Sequence, residues 1–173
     1  AYIMAGRGEI VTYQQLNERS CQTAQLFRTM GLQTGDHISL LMENNARFLA
    51  ICMAAARSGL FYSAISSRLT AGEAAYIIND CGAKLFISSF VKGELATELL
   101  DDLPTVESRL MVNGTVNGYD SYESLRDQML QHPIADEAAG IDMLYSSGTT
   151  GKPKGVKIPL PDINVGDESS NLV

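Results

Sequence analysis

The chain has 173 residues, 45% hydrophobic and 19% charged, with 13 Lys and Arg against 20 Asp and Glu for a formal net charge of −7. That length supplies the apolar core of one domain rather than two, and no apolar run approaches the ~20 residues that a bilayer crossing needs. An acidic body with scattered Lys and Arg also argues against a nucleic-acid-binding face, because phosphate backbones select clustered basic charge.

Residues 1–8 carry neither the basic segment nor the long apolar stretch of a secretory signal, so a cytoplasmic location is expected. Residues 11–13 suit a short strand. Thr12 and Gln15 then have capping-box spacing, in which each side chain satisfies an orphan amide of the first helical turn; a helix to Met30 is predicted, with Leu16, Ser20, Ala24 and Phe27 on one face. Gly31 stops it. Gly35 and Asp36 turn the chain into an apolar strand over 37–42, and the small side chains of 46–58 suit a closely packed helix that ends at Gly59. Residues 60–65 read as the next strand. Thr70 and Glu73 repeat the capping-box pattern for a helix to Cys81, closed by Gly82. Further on come a strand over 84–88, a helix over 92–100, a break at Pro104, a strand over 109–112, a loop over 113–120, and a helix capped by Ser121 and reaching Leu130.

Strand-length apolar runs alternating with helical periods predict an α/β fold with a mostly parallel sheet flanked by helices. No fixed-period repeat points to a solenoid. Cys21, Cys52 and Cys81 form no CxxC pair and fall in helical stretches, which suits buried thiols better than zinc ligands or a disulfide framework. His37 and His132 have no metal-ligand spacing and no nucleophile beside them, and read as structural.

After Pro133 a polar, acidic connection leads to a strand over 141–145, which runs into YSSGTTGKPKGV, residues 145–156. Glycines in this stretch let the backbone turn and approach a ligand closely, while the hydroxyls of Ser146, Ser147, Thr149 and Thr150 and exposed amides offer donors to anionic oxygens. Lys152 and Lys154 flank a stiffening Pro153, so an ammonium can point at the same oxygens. The bland alternative is a Gly/Ser/Thr-rich surface turn with a solvated basic patch. A P-loop is excluded by spacing, since counting from Gly148 puts Pro153 where the second glycine of GxxxxGK belongs. A dinucleotide fingerprint at Gly6 and Gly8 is excluded because it comes too early to be a strand-to-helix turn.

At every defining position, YSSGTTGKPKGV resembles the phosphate-loop motif of the adenylate-forming superfamily, which includes acyl-CoA and aryl-CoA synthetases, luciferases and the adenylation domains of peptide synthetases. Upstream, VTYQQL, GLQTGDHISLLMENN and AAARSGLFYSAISSRLTAGEAAYIINDCGAKLFISS follow the family's order and approximate spacing. The segment looks closest to bacterial fatty-acyl-CoA synthetases, although Ala64, Ile65 and Ser66 stand where members often have Pro-Ile-Asn.

The resemblance implies a partial N-terminal adenylation domain over 1–158, ending in the phosphate loop 145–156, with an irregular tail over 159–173. It implies that a carboxylic acid attacks the α-phosphorus of ATP to give an acyl-adenylate and pyrophosphate, after which coenzyme A displaces AMP, with Mg2+ sharing the phosphate charge. Ser146, Ser147, Gly148, Thr149, Thr150 and Gly151 would surround the β- and γ-phosphates, and Lys154 would add positive charge; Lys152 occupies a variable position. The family's adenine and ribose segments, most of its acyl pocket, its hinge and its catalytic C-terminal lysine lie downstream. No catalytic residue is therefore expected in this stretch, which should be inactive alone. Its uncovered face should expose apolar side chains or an open sheet edge, and should allow self-association. Two other readings stay open: an adenylating enzyme of another branch, loading an amino acid or an acyl chain onto a carrier, and a non-catalytic nucleotide-binding module.

Overall fold

A computed structural model describes residues 1–5, 8–146, 152–163 and 165. The chain opens with an antiparallel pair, β1 (Tyr2–Ile3) on β2 (Ile10–Val11), which leads directly into α1 (Tyr13–Thr29). The first capping box is formed: Thr12 Oγ1 accepts from the Gln15 amide at 3.2 Å, and Gln15 Oε1 accepts from the Thr12 amide at 3.0 Å. At the far end Gly31 takes φ 84°, a left-handed conformation that disfavours any residue with a Cβ.

There follow β3 (His37–Leu41), α2 (Phe48–Arg57), β4 (Phe61–Ile65), α3 (Ala71–Asp80) and β5 (Leu85–Ser89). Thr70 and Glu73 form the second capping box at the start of α3. After a 3-10 turn (Phe90–Lys92) come α4 (Gly93–Glu98), β6 (Ser108–Val112), β7 (Asp120–Ser121), α5 (Tyr122–Arg126) and β8 (Ile141–Asp142). The strands assemble a six-stranded sheet in the order β7-β6-β5-β3-β4-β8, with every pairing parallel. The fold class expected from the sequence is the one observed.

Alternation along each strand sends successive side chains to opposite faces, and helices cover both. Ile38, Leu40, Leu85, Ile87 and Leu110 join Phe27 of α1, Ile51 of α2 and Tyr122 of α5 in one core. Leu41, Phe86 and Met111, displaced by one residue along the same strands, join Ile78 of α3 and Ala96 of α4 in a second. Each large side chain so removed from water contributes roughly 1.5–3 kcal/mol. Tyr122 buries its hydroxyl as well, and satisfies it against Thr23 Oγ1 at 2.6 Å.

Several boundaries differ from the sequence reading. The strand over 141–145 is broken: β8 ends at Asp142, and Met143 is buried in the second core. There the Met143 amide donates to Tyr62 O at 2.9 Å and its carbonyl accepts from Ser63 Oγ at 3.0 Å. The helix begun at Ser121 ends at Arg126, short of Leu130. Its last turn tightens to i→i+3 bonds, Gln22 takes the Met129 carbonyl at 3.1 Å, and Leu130 is left 68% exposed. The loop over 113–120 ends in β7, whose two residues extend the sheet edge. The helix expected over 92–100 is α4, entered through the 3-10 turn.

All three cysteines are free thiols; Cys21 and Cys81 are buried and Cys52 is half-buried. Burial pushes the Cys52 thiol up to about 12, the opposite of a reactive thiolate. Among the described residues, no helix is long and apolar enough to cross a membrane.

Candidate functional site

Residues 144–146 and 154–156 pair as a hairpin hung from the edge of the sheet. Gly140 sets its approach. The Gly140 amide donates to Ala56 O at 2.6 Å and the Ile141 amide to Leu60 O at 3.1 Å, so the chain runs close against the end of α2 and the start of β4. A Cβ on Gly140 would lie 2.5 Å from Ala55 O and 2.7 Å from Leu60 N, which leaves glycine as the residue that fits. β8 then aligns Ile141 with Phe61 and Asp142 with Tyr62. Beyond Met143, β9 (Leu144–Ser146) and β10 (Lys154–Val156) pair antiparallel, with Leu144 opposite Val156, Tyr145 opposite Gly155 and Ser146 opposite Lys154.

Residues directly opposite in a hairpin share a face, so this one has two unlike sides. One side carries Ser146 and Lys154, both exposed, beside Leu144 at 60% exposure and Val156 at 54%. Ser146 Oγ lies 3.5 Å from Lys154 O. Of the phosphate contacts expected from the sequence, the structure sets these two opposite one another. Ser147, Gly148, Thr149, Thr150 and Gly151 lie outside the described residues.

The other side faces α3. The Tyr145 ring packs against the second core together with Tyr76, and the Tyr145 hydroxyl donates to Asp80 Oδ2 at 2.6 Å. Burial first, and then this bond to a carboxylate, hold the phenol well above its ordinary range. Gly155 makes room for that ring: a Cβ there would press on Met143 Cε and come within 2.9 Å of Tyr145 Cζ.

Lysines flank the hairpin on both sides. Lys152 Nζ lies 5.3 Å from the centroid of the Tyr76 ring, and Lys157 Nζ 4.4 Å from that of Phe61, whose ring also stacks on His37 at 4.6 Å. With Lys154 they concentrate positive charge in a chain of net charge −7. His37 is only 4% exposed; burial first, and then the Lys157 charge, push its pKa down to about 4, so at neutral pH it is an uncharged core residue. Among the described residues no group of three or more His, Cys, Asp or Glu side chains gathers as a metal site. The chemistry this hairpin offers is donation: a hydroxyl and an ammonium side by side, both suited to anionic oxygen.

The sequence reading missed the support beneath the hairpin. Tyr76 and Asp80 read there only as helical positions, and no local pattern ties either to residues far along the chain.

The family model for AMP-binding enzymes matches residues 1–163. A long-chain-fatty-acid–CoA ligase of Mycobacterium tuberculosis is 31% identical over 163 residues, covering 90% of this chain and 31% of the relative. An acetyl-coenzyme A synthetase of Mycolicibacterium smegmatis is 30% identical over 170 residues, covering 87% of this chain and 18% of the relative. Among solved structures, a fatty acyl CoA synthetase of Mycobacterium tuberculosis superposes with a TM-score of 0.78 at 26% identity, covering 90% of this chain and 30% of that one. The chain thus spans less than a third of the length of these curated relatives, 31% and 18%.

Proposed function

The chain belongs to the AMP-binding enzyme family, and from that premise we propose that it is the phosphate-holding N-terminal part of an ATP-dependent acid–CoA ligase whose acid is a fatty acid. The observation that carries this reading is the hairpin register, with Ser146 opposite Lys154 at the two ends of a glycine- and hydroxyl-rich connection. In this reading Ser146, Ser147, Gly148, Thr149, Thr150 and Gly151 offer amide and hydroxyl donors to the β- and γ-phosphates of ATP, and Lys154 supplies the positive charge.

These groups orient the α-phosphorus for in-line attack by the carboxylate and stabilise the charge that moves onto departing pyrophosphate. Coenzyme A then displaces AMP from the acyl-adenylate. Mg2+ would arrive with the nucleotide, since phosphate oxygens are its ordinary ligands and the described residues gather no cluster to hold it. The adenine, ribose and acyl sites belong to downstream segments, so this chain alone is inactive, and the whole enzyme works in the cytoplasm. The fatty acid is favoured by the long-chain ligase among the relatives, while the acetyl-coenzyme A synthetase makes a shorter acid the second reading.

The test is acid-dependent exchange of labelled pyrophosphate into ATP. It is run on this chain and on the longer protein that carries its relatives' downstream segments, with fatty, short-chain, aryl and amino acids. Exchange is expected only in the longer protein and strongest with fatty acids. A folded longer protein that exchanges with no acid would replace this reading with a non-catalytic nucleotide-binding module.

A further inference from the structure

The loop between β6 and β7 has no part in the phosphate reading, yet its backbone is closely specified. Asn113 takes φ 62°, and its amide donates to both carboxylate oxygens of Glu123, each at 3.2 Å. Gly114 follows at φ 140°, and a Cβ there would lie 2.8 Å from two ring atoms of Phe90. The loop backbone thus packs on one side of the Phe90 ring, while Phe90 remains 54% exposed. Phe90 opens the 3-10 turn that follows β5. Between that turn, α4 and the loop lies a groove of about 500 Å³, lined by Phe90, Val91, Gly93, Glu94, Thr97 and Val116. Gly93 keeps it open, since a Cβ there would lie 3.0 Å from Val116 Cγ1. The groove stands at the carboxyl ends of the parallel strands β5 and β6, the end of an open α/β sheet at which ligands bind.

The chemistry of the lining selects a ligand. Phe90, Val91 and Val116 give an apolar wall, with Val91 66% exposed. The polar side chains are Glu94 and Thr97, and the Thr97 hydroxyl already donates to Gly93 O at 2.7 Å. What the side chains leave for a ligand is acceptors: a carboxylate, a hydroxyl oxygen and the negative face of a ring. Phosphate and carboxylate ligands are repelled by such a lining, whereas an ammonium is attracted by both the ring face and Glu94. We propose that this groove is a site for a small organic cation, an ammonium carried on a short apolar body. It lies on the opposite flank of the sheet from β8 and its hairpin, and it does not depend on the phosphate reading.

Choline is a suitable probe, because the neutral alcohol in which carbon replaces its nitrogen has the same shape without the charge. Saturation-transfer NMR follows the choline methyl signal on the longer protein that carries its relatives' downstream segments, with melting temperatures taken in parallel. Choline should bind saturably with a Kd on the order of 1 mM, and the neutral isostere about fivefold more weakly. Glu94→Gln should weaken choline about fivefold and leave the isostere unchanged. Phe90→Leu keeps an apolar side chain without a ring, and should weaken choline about threefold. Both positions are exposed, so neither variant should alter the melting temperature appreciably.

Equal binding of choline and its isostere would show an apolar surface with no preference for charge, and would overturn the proposal. So would choline binding that neither Glu94→Gln nor Phe90→Leu weakens, because the cation then sits elsewhere. Failure of choline to bind refutes the small-molecule site outright. Binding of a lysine-rich peptide in its place, lost in Glu94→Gln, would assign the groove to a protein partner instead.

Discussion

Replacing Gly140 by alanine tests whether the hairpin depends on the close passage that precedes it. The added Cβ would sit 2.5 Å from Ala55 O and 2.7 Å from Leu60 N, and against Leu60 O as well. All three are backbone atoms of α2's end and β4's start, so no side chain can rotate away and the 138–142 segment itself must lift. Overpacking of this kind costs typically ~1–3 kcal/mol, and the two strained bonds, Gly140 to Ala56 and Ile141 to Leu60, add about 1 kcal/mol each. A total near 3–4 kcal/mol should lower the melting temperature by about 10 °C in a domain of this size. Differential scanning fluorimetry measures it, with Gly72→Ala as the control. Gly72 has nothing within 4 Å of an added Cβ and lies in the first turn of α3, where alanine is the better helix former. A Gly140→Ala variant melting within about 2 °C of the wild type would show that the passage is not the constraint described here, since even ~1 kcal/mol should move it further.

Lys154→Ala should reduce acid-dependent pyrophosphate exchange in the longer protein on the order of 10²-fold, the usual effect of removing one group that stabilises transition-state charge; an unchanged rate would take Lys154 out of the site. His37 titrates at about 4 in the fold against 6.5 in the unfolded chain, so the unfolded state takes up the proton first as pH falls. Stability from this group is therefore complete above pH 6.5 and declines down to about 4, with no further loss below. Melting temperatures across that window should fall more steeply for the wild type than for His37→Phe, and parallel profiles would contradict the assignment. Leu144 and Val156, 60% and 54% exposed on the outer hairpin face, should make the isolated chain self-associate. Sedimentation should show association that Leu144→Ser with Val156→Ser relieves, and a clean wild-type monomer at high concentration would count against it.

What the sequence disclosed divides by the range of the interaction. Both capping boxes were legible because Thr12 with Gln15, and Thr70 with Glu73, carry their partner three residues away. The βα alternation was legible for the same reason, since each burial pattern is written within its own element. The break at Met143 was not, because it depends on Ser63, 80 residues earlier in the chain. β7 offered only two residues, too few for any period to register. At the candidate site the residue types of the loop pointed to phosphate without any structure. The register that sets Ser146 against Lys154 needed coordinates, and so did the bond from Tyr145 to Asp80 across 65 residues.

The order of strands has a consequence for how the hairpin comes to exist. β3 lies inside the sheet and takes neighbours outward on both flanks, β4 and then β8 on one, β5, β6 and β7 on the other. β8, the last of these in chain order, adds only two residues to the ladder, and β9 and β10 hang from it. Nucleation on the early strands can therefore be complete before the hairpin docks. Once docked, the hairpin can detach as a unit while the central ladder stays intact, so its amides should exchange with solvent through a local opening well below the global unfolding energy.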